Sequence, residues 1–204
     1  MPRRPAPGHP VPPSNDGAAR REHVAVYAGS FDPITFGHLD VLQRARQLFD
    51  AIVLGIGINP DKPPLFSLEQ RVTMARALTE QMVREHPDGS PVRVDSYDGL
   101  TVDFARACGA SAILRGIRNI TDLATECQLA ITNRQVADIE TVFIVTAEQY
   151  SFTSSSLIRQ VAAMGGSLDR LASIIPPLVL DELKKLQRDP RKPLSRLARD
   201  QHID

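Results

Sequence analysis

A hydroxyl, Ser30, and an imidazole, His38, flank a glycine-containing turn in the stretch Tyr27-Ala28-Gly29-Ser30-Phe31-Asp32-Pro33-Ile34-Thr35-Phe36-Gly37-His38. The turn leads from the apolar run Val24–Tyr27 into a segment with helical character that starts at Gly37. A strand passing through such a turn into a helix aims backbone N–H groups and the positive end of the helix dipole at one point, which suits a phosphate. Three later clusters carry compatible chemistry. Lys62 sits in Asn59-Pro60-Asp61-Lys62-Pro63. Arg115 and Arg118 bracket Gly116-Ile117, and two arginines at that spacing can grip phosphate oxygens with paired N–H donors. Ser154, Ser155 and Ser156 open a helix, where hydroxyls and free N–H groups make a second anion site. The shared chemistry is the binding of phosphate.

The elements that must position these groups alternate along the chain. Strands are expected at Val24–Tyr27, Ala51–Gly57, Val92–Val94, Ala112–Gly116 and Thr141–Val145. Helices are expected over about 37–49, from the capping-box sequence Ser67-Leu68-Glu69-Gln70 to about Arg84, and over about 101–108. Further helices are expected over about 121–136, to about Ala163 after the serine run, and over about 177–187. Strands alternating with helices at these lengths imply right-handed crossovers. The expected fold class is α/β, a doubly wound, Rossmann-like, parallel five-stranded sheet with helices on both faces. Ligands on such sheets sit beyond the carboxyl ends of the strands. Each polar cluster follows a strand, so Ser30, His38, Lys62, Arg115, Arg118 and the serine run should share one rim.

Composition narrows the field. The 204 residues suffice for one domain with a sizeable core, and Lys+Arg of 24 against Asp+Glu of 24 leaves no global footprint for nucleic acid or an acidic membrane. No apolar run reaches the roughly 18 residues of a spanning helix, and no apolar signal core begins the chain, so the expectation is a cytoplasmic protein without a membrane partner. Cys108 and Cys127 lack a second thiol or imidazole at metal-ligand spacing and read as packed thiols. Residues 1–22, rich in proline and poor in apolar side chains, read as a disordered leader. Residues 23–187 read as the folded domain and 188–204 as a flexible basic tail.

Thr35-Phe36-Gly37-His38 has the form [Thr/His]-x-Gly-His found at the start of the first helix in the nucleotidyltransferase superfamily. The full run from Tyr27 to His38 resembles the signature of bacterial phosphopantetheine adenylyltransferases, with Ala28 where proline is common and Ser30 where threonine is common. Lys62, Arg115-Gly116-Ile117-Arg118, Glu126 and Tyr150-Ser151-Phe152-Thr153-Ser154-Ser155-Ser156 match the same family in order, so the resemblance covers about residues 23–187.

The resemblance implies transfer of AMP from ATP to 4′-phosphopantetheine, giving dephospho-CoA and pyrophosphate without a covalent intermediate. It makes His38 the transition-state stabiliser, assisted by Lys62, Ser30 and Arg118. It assigns ATP to Ser30, Phe31, His38, Gly116, Ile117, Arg118, Glu126, Tyr150, Ser151, Phe152, Thr153, Ser154, Ser155 and Ser156. It assigns phosphopantetheine to Ser30, Lys62, Thr101 and Arg115. Mg²⁺ is expected with the triphosphate, and no protein side chain is assigned as its ligand. A homohexamer built as a dimer of trimers, and feedback by CoA in the same pocket, are further family expectations. A sister enzyme acting on nicotinate mononucleotide or a phospho-alcohol, and a non-catalytic nucleotide sensor, remain alternatives. A nucleic-acid binder using the basic tail fits poorly with the balanced charge.

Overall fold

The computed structural model describes residues 21–58 and 63–189. The tail beyond Asp189, the leader before Arg21 and the segment carrying Lys62 lie outside the described residues. Among the described residues, five strands form one parallel sheet: β1 (Val24–Gly29), β2 (Ala51–Gly57), β3 (Val92–Tyr97), β4 (Ala112–Ile117) and β5 (Glu140–Val145). The same residues form six α-helices: α1 (Phe36–Ala45), α2 (Leu68–Glu85), α3 (Thr101–Ala107), α4 (Ile120–Ala137), α5 (Ser155–Ala163) and α6 (Pro177–Arg188).

The strand order is β3-β2-β1-β4-β5, which puts β1 at the centre. Its residues are buried on both faces, as a strand covered by helices on each side must be. Ala25 and Tyr27 point into the larger core beneath α1, α2, α5 and α6, with Leu54, Leu114, Val41, Leu78, Ile158 and Leu183. Val26 and Ala28 point the other way, against Val102 and Ala105 of α3 and Ala137 of α4. This period-2 division of one strand between two cores is what keeps the register from slipping.

The order also decides where a ligand fits. The chain winds outward from β1 through β2 to β3, then crosses back to lay β4 on the opposite side of β1. Helices leaving β1 and β4 therefore diverge, and a crevice opens between the carboxyl ends of those two strands.

Helix boundaries follow local chemistry. Ser67 caps α2, accepting from the Gln70 N–H, and the Gln70 side chain returns the bond to the Ser67 N–H. The first helix stops at Ala45, four residues before the expected end. There the bonds shorten to an i→i−3 pattern, with Gln47 N–H on the Arg44 carbonyl and Leu48 N–H on that of Ala45. The buried Arg46 side chain leaves that turn to donate to the carbonyls of His86 (2.7 Å) and Ser90 (2.7 Å), tying it to the α2–β3 connection. α4 departs from the usual pattern: Ala137 is its one buried residue among the described residues, and Leu129, Ile131 and Val136 face outward.

Candidate active site

The motif Thr35-Phe36-Gly37-His38 is a helix cap. Thr35 is the N-cap of α1 and His38 occupies the third helical position, the spacing of a capping box. The Thr35 side chain accepts from the His38 N–H, and the Thr35 N–H donates to His38 Nδ1 at 3.0 Å. The Thr35 hydroxyl lies 3.0 Å from the same nitrogen. A nitrogen that accepts a backbone N–H carries no proton, so the neutral ring is protonated at Nε2. The cap thereby leaves one N–H donor on the imidazole for a ligand.

Electrostatics keep that ring neutral. Burial, followed by the charges of Arg118 and Arg115, pushes the His38 pKa down to about 4. The ring is therefore a neutral hydrogen-bond donor at physiological pH. The sign of the linkage follows: the unfolded chain takes up this proton near 6.5, so the group's share of stability is intact above that pH and is lost as pH falls towards 4. An NMR titration of the His38 ring in the free protein should show a midpoint near 4. A midpoint near the ordinary value would mean that neither burial nor the two arginines reach the ring.

The ring is held from beside as well. Phe31 is buried, meets His38 edge-on with centroids 5.1 Å apart, and meets Tyr27 edge-on at 5.3 Å. Its backbone sits at φ 46°, a left-handed conformation that costs a non-glycine residue roughly 1–3 kcal/mol. Gly37 admits the next neighbour, since a Cβ there would lie 3.3 Å from the Tyr150 Cβ.

Across the crevice, β4 ends in two arginines that are already paired. Arg115 grips Glu126 of α4 with Nε (2.7 Å) and Nη2, and gives Nη1 to the Ala28 carbonyl at 2.6 Å. Burial disfavours its charge, but the bond to Glu126 and that carboxylate's charge prevail and hold the guanidinium above its ordinary pKa. Arg118 takes both oxygens of Asp122 through Nε (2.7 Å) and Nη2 (3.0 Å), and donates Nη1 to the Thr153 carbonyl at 2.7 Å. A guanidinium has five N–H donors, so each arginine keeps some for a ligand. Gly116 between them lets β4 approach α1, because a Cβ there would come within 3.0 Å of Val41.

The third wall is the start of α5. Ser154 is its N-cap, accepting from the Leu157 N–H, and Ser155 donates its hydroxyl to the Pro33 carbonyl at 2.8 Å. Thr153 Oγ1 is buried without a hydrogen-bond partner among the described residues. These walls enclose a cavity of about 330 Å³.

Of the residues singled out by sequence, Ser30, Phe31, His38, Arg115, Gly116, Arg118, Glu126, Thr153, Ser154, Ser155 and Ser156 line this cavity. Others do not. Ile117 is buried in the sheet, and the Phe152 side chain is 91% exposed. Ser151 donates its hydroxyl to the Glu148 carbonyl. Tyr150 stacks on Phe36 and borders a separate cavity between α1 and α2. Thr101 begins α3, with its hydroxyl 2.8 Å from that of Tyr97. Lys62 lies outside the described residues. Residues to which sequence reasoning gave no role of their own are Thr35, quoted only as part of the Gly-His motif, Asp122 and the buried Asp32. The Thr-x-x-His spacing could have revealed the first. Asp122 stands four residues beyond Arg118, a helical pairing interval. Among the described residues, no group of three or more His, Cys, Asp or Glu could hold a metal ion.

A cytidylyltransferase-like family model matches residues 26–161. A phosphopantetheine adenylyltransferase of Rhodopirellula baltica is 43% identical over 170 residues, 83% of this chain and 91% of that protein. One from Synechocystis is 44% identical over 161 residues, 78% of this chain and 95% of that protein. Among solved structures, a bifunctional NMN adenylyltransferase/ADP ribose pyrophosphatase from Francisella tularensis aligns with a TM-score of 0.62 at 16% identity, over 85% of this chain and 53% of that one. That likeness speaks for the fold alone.

Proposed function

We infer the mechanism from one premise: the chain belongs to the phosphopantetheine adenylyltransferases, within the cytidylyltransferase-like family. It is a nucleotidyltransferase of coenzyme A biosynthesis that moves AMP from ATP to 4′-phosphopantetheine, giving dephospho-CoA and pyrophosphate.

The nucleophile is a phosphate that is already ionised, so the protein needs no general base. What it must supply is placement of two anions in line and stabilisation of the charge that builds on the α-phosphate. The Nε2–H of His38 is the donor for that charge. The observation that carries this reading is the cap: the Thr35 N–H occupies Nδ1, and burial with two arginines keeps the ring neutral. A neutral donor with a fixed direction needs no reorganisation as charge develops.

The crevice walls then divide the substrates. ATP lies between β1 and β4, with its α-phosphate at His38, Ser30 and Arg118, and its β- and γ-phosphates at the α5 N-terminus, where the Thr153 hydroxyl awaits a partner. Phosphopantetheine approaches from the β2–β3 side of β1 past Thr101, with Lys62 from the sequence, and reaches Ser30 and Arg115, whose Nη1 donates to the Ala28 carbonyl of β1. Glu126 acts here through Arg115, which it orients. Mg²⁺ enters as part of the Mg·ATP substrate, offsetting triphosphate charge.

The outward apolar residues Leu129, Ile131 and Val136 of α4, with Val145 of β5, support burial between subunits and fit the hexamer expected of the family. CoA contains the chemistry of both substrates and would compete in the same cavity. Among the described residues no helix is long and apolar enough to cross a membrane. A cytoplasmic location is in keeping with such a biosynthetic step.

The test is pyrophosphate release from Mg·ATP with 4′-phosphopantetheine, beside nicotinamide and nicotinate mononucleotides. Release with the pantetheine acceptor alone is the expected result. Release with a mononucleotide instead would overturn the acceptor assignment while leaving His38 in place.

A further inference from the structure

Behind the cavity floor lie three charged side chains that the mechanism above does not use. Asp32, Arg71 and Arg159 are 4%, 4% and 9% exposed. Arg71, reaching in from α2, sets a single nitrogen, Nη1, between two carbonyls, Ser30 at 2.7 Å and Gly57 at 2.9 Å. Gly57 ends β2, and Ser30 is the residue after β1. One guanidinium nitrogen thus cross-ties the carboxyl ends of adjacent strands.

Arg159, from α5, pairs with Asp32 and gives its other terminal nitrogen to the Pro63 carbonyl. Asp32 accepts from the N–H groups of Leu65 (2.8 Å) and Phe66 (2.9 Å). The chain before residue 59 and the chain after residue 62 are therefore both fastened to the turn that carries Ser30. A small cavity of about 120 Å³ lies among these groups, and it shares Ser30, Ser155 and Ser156 with the larger one.

We propose that Asp32, Arg71 and Arg159 form a clamp that positions the acceptor side of the site, with Arg71 as the member whose effect falls mainly on that side. The proposal rests on the functional reading given above. The nucleotide crevice lies between β1 and β4, and among the described residues Arg71 meets its walls only at the Ser30 backbone carbonyl, with no bond to His38, Gly116 or Arg118. Arg71 instead joins β1 to β2, the flank away from that crevice. Removing it takes one shared donor from two carbonyls and unties the ends of the two strands. Arg159 and Asp32 are less selective, because Arg159 shares α5 with the serines at the triphosphate end.

These are positioning residues, and their effect should appear in a KM ratio. Steady-state kinetics on Arg71→Met, Arg71→Lys and the unaltered protein make the test, with thermal denaturation alongside. Arg71→Met should raise KM for 4′-phosphopantetheine about tenfold or more while KM for Mg·ATP stays within about twofold, given that small misplacements of a reactant carry large kinetic penalties. Arg71→Lys, which keeps the charge and can reach one carbonyl, should recover much of the loss and carries the test if Arg71→Met does not fold. A lowered Tm with both KM values unchanged would reduce Arg71 to a structural role and overturn the clamp. So would equal rises in both KM values. Failure of the unaltered protein to use phosphopantetheine would instead overturn the functional reading, and the acceptor assignment with it.

Discussion

His38→Ala lowers kcat for pyrophosphate release by about 10²–10³, the loss seen when one preorganised donor to a transition-state oxyanion is removed. The imidazole has two duties, and the variant removes both. Its Nδ1 accepts the Thr35 N–H and completes the cap of α1, while its Nε2–H serves the reaction. A lost cap costs about 1 kcal/mol of stability, which is far too little to explain the rate. His38→Glu separates the two duties. A glutamate at this position can complete a capping box, so its carboxylate accepts the Thr35 N–H as the imidazole did. An ionised carboxylate has no N–H to donate where Nε2 stands. His38→Glu should therefore recover much of the Tm lost by His38→Ala and remain slow. Turnover within about threefold of the unaltered protein in either variant would remove His38 from the chemistry, because an effect of that size is far below the loss expected for a transition-state donor.

The cap also shows what could be read from the chain and what could not. Thr35 and His38 are three residues apart, so the rule that finds Ser67 and Gln70 at α2 reaches them too, once a ring nitrogen is admitted as the returning acceptor. Strand periodicity and the polar groups after each strand located the sheet and its rim. The order β3-β2-β1-β4-β5 was not legible, because which strands pair is settled by long-range packing, not by local pattern. The same limit hid the pairing state of the arginines. Arg115 and Glu126 were both read as ligand contacts, and the structure also pairs them with each other. Phe152 was assigned to ATP by the resemblance, and the turn before α5 leaves its side chain in solvent. Sequence distance grows from 3 residues for the cap to 127 for Asp32 and Arg159, and legibility falls along the same path.

Asp32→Ala destabilises the protein by about 3–5 kcal/mol, the cost of leaving one member of a buried ion pair without its partner. For a chain of this size that corresponds to a fall in Tm of roughly 10 °C. Three groups lose their acceptor at once: the Arg159 guanidinium and the N–H groups of Leu65 and Phe66. Arg159 supplies most of the penalty, because a buried unpaired charge costs more than an unpaired amide. The double variant Asp32→Ala with Arg159→Met isolates that share. Removing both charges relieves the uncompensated guanidinium, so the double variant should be more stable than Asp32→Ala alone, a non-additivity that a thermodynamic cycle measures directly. If the losses simply add, the pair contributes little as a pair, and Asp32 acts through the two backbone N–H groups it accepts. A sub-additive cycle locates the energy in the ion pair that joins the turn after β1 to α5. Stability of the fold and the shape of the site would then depend on the same bond.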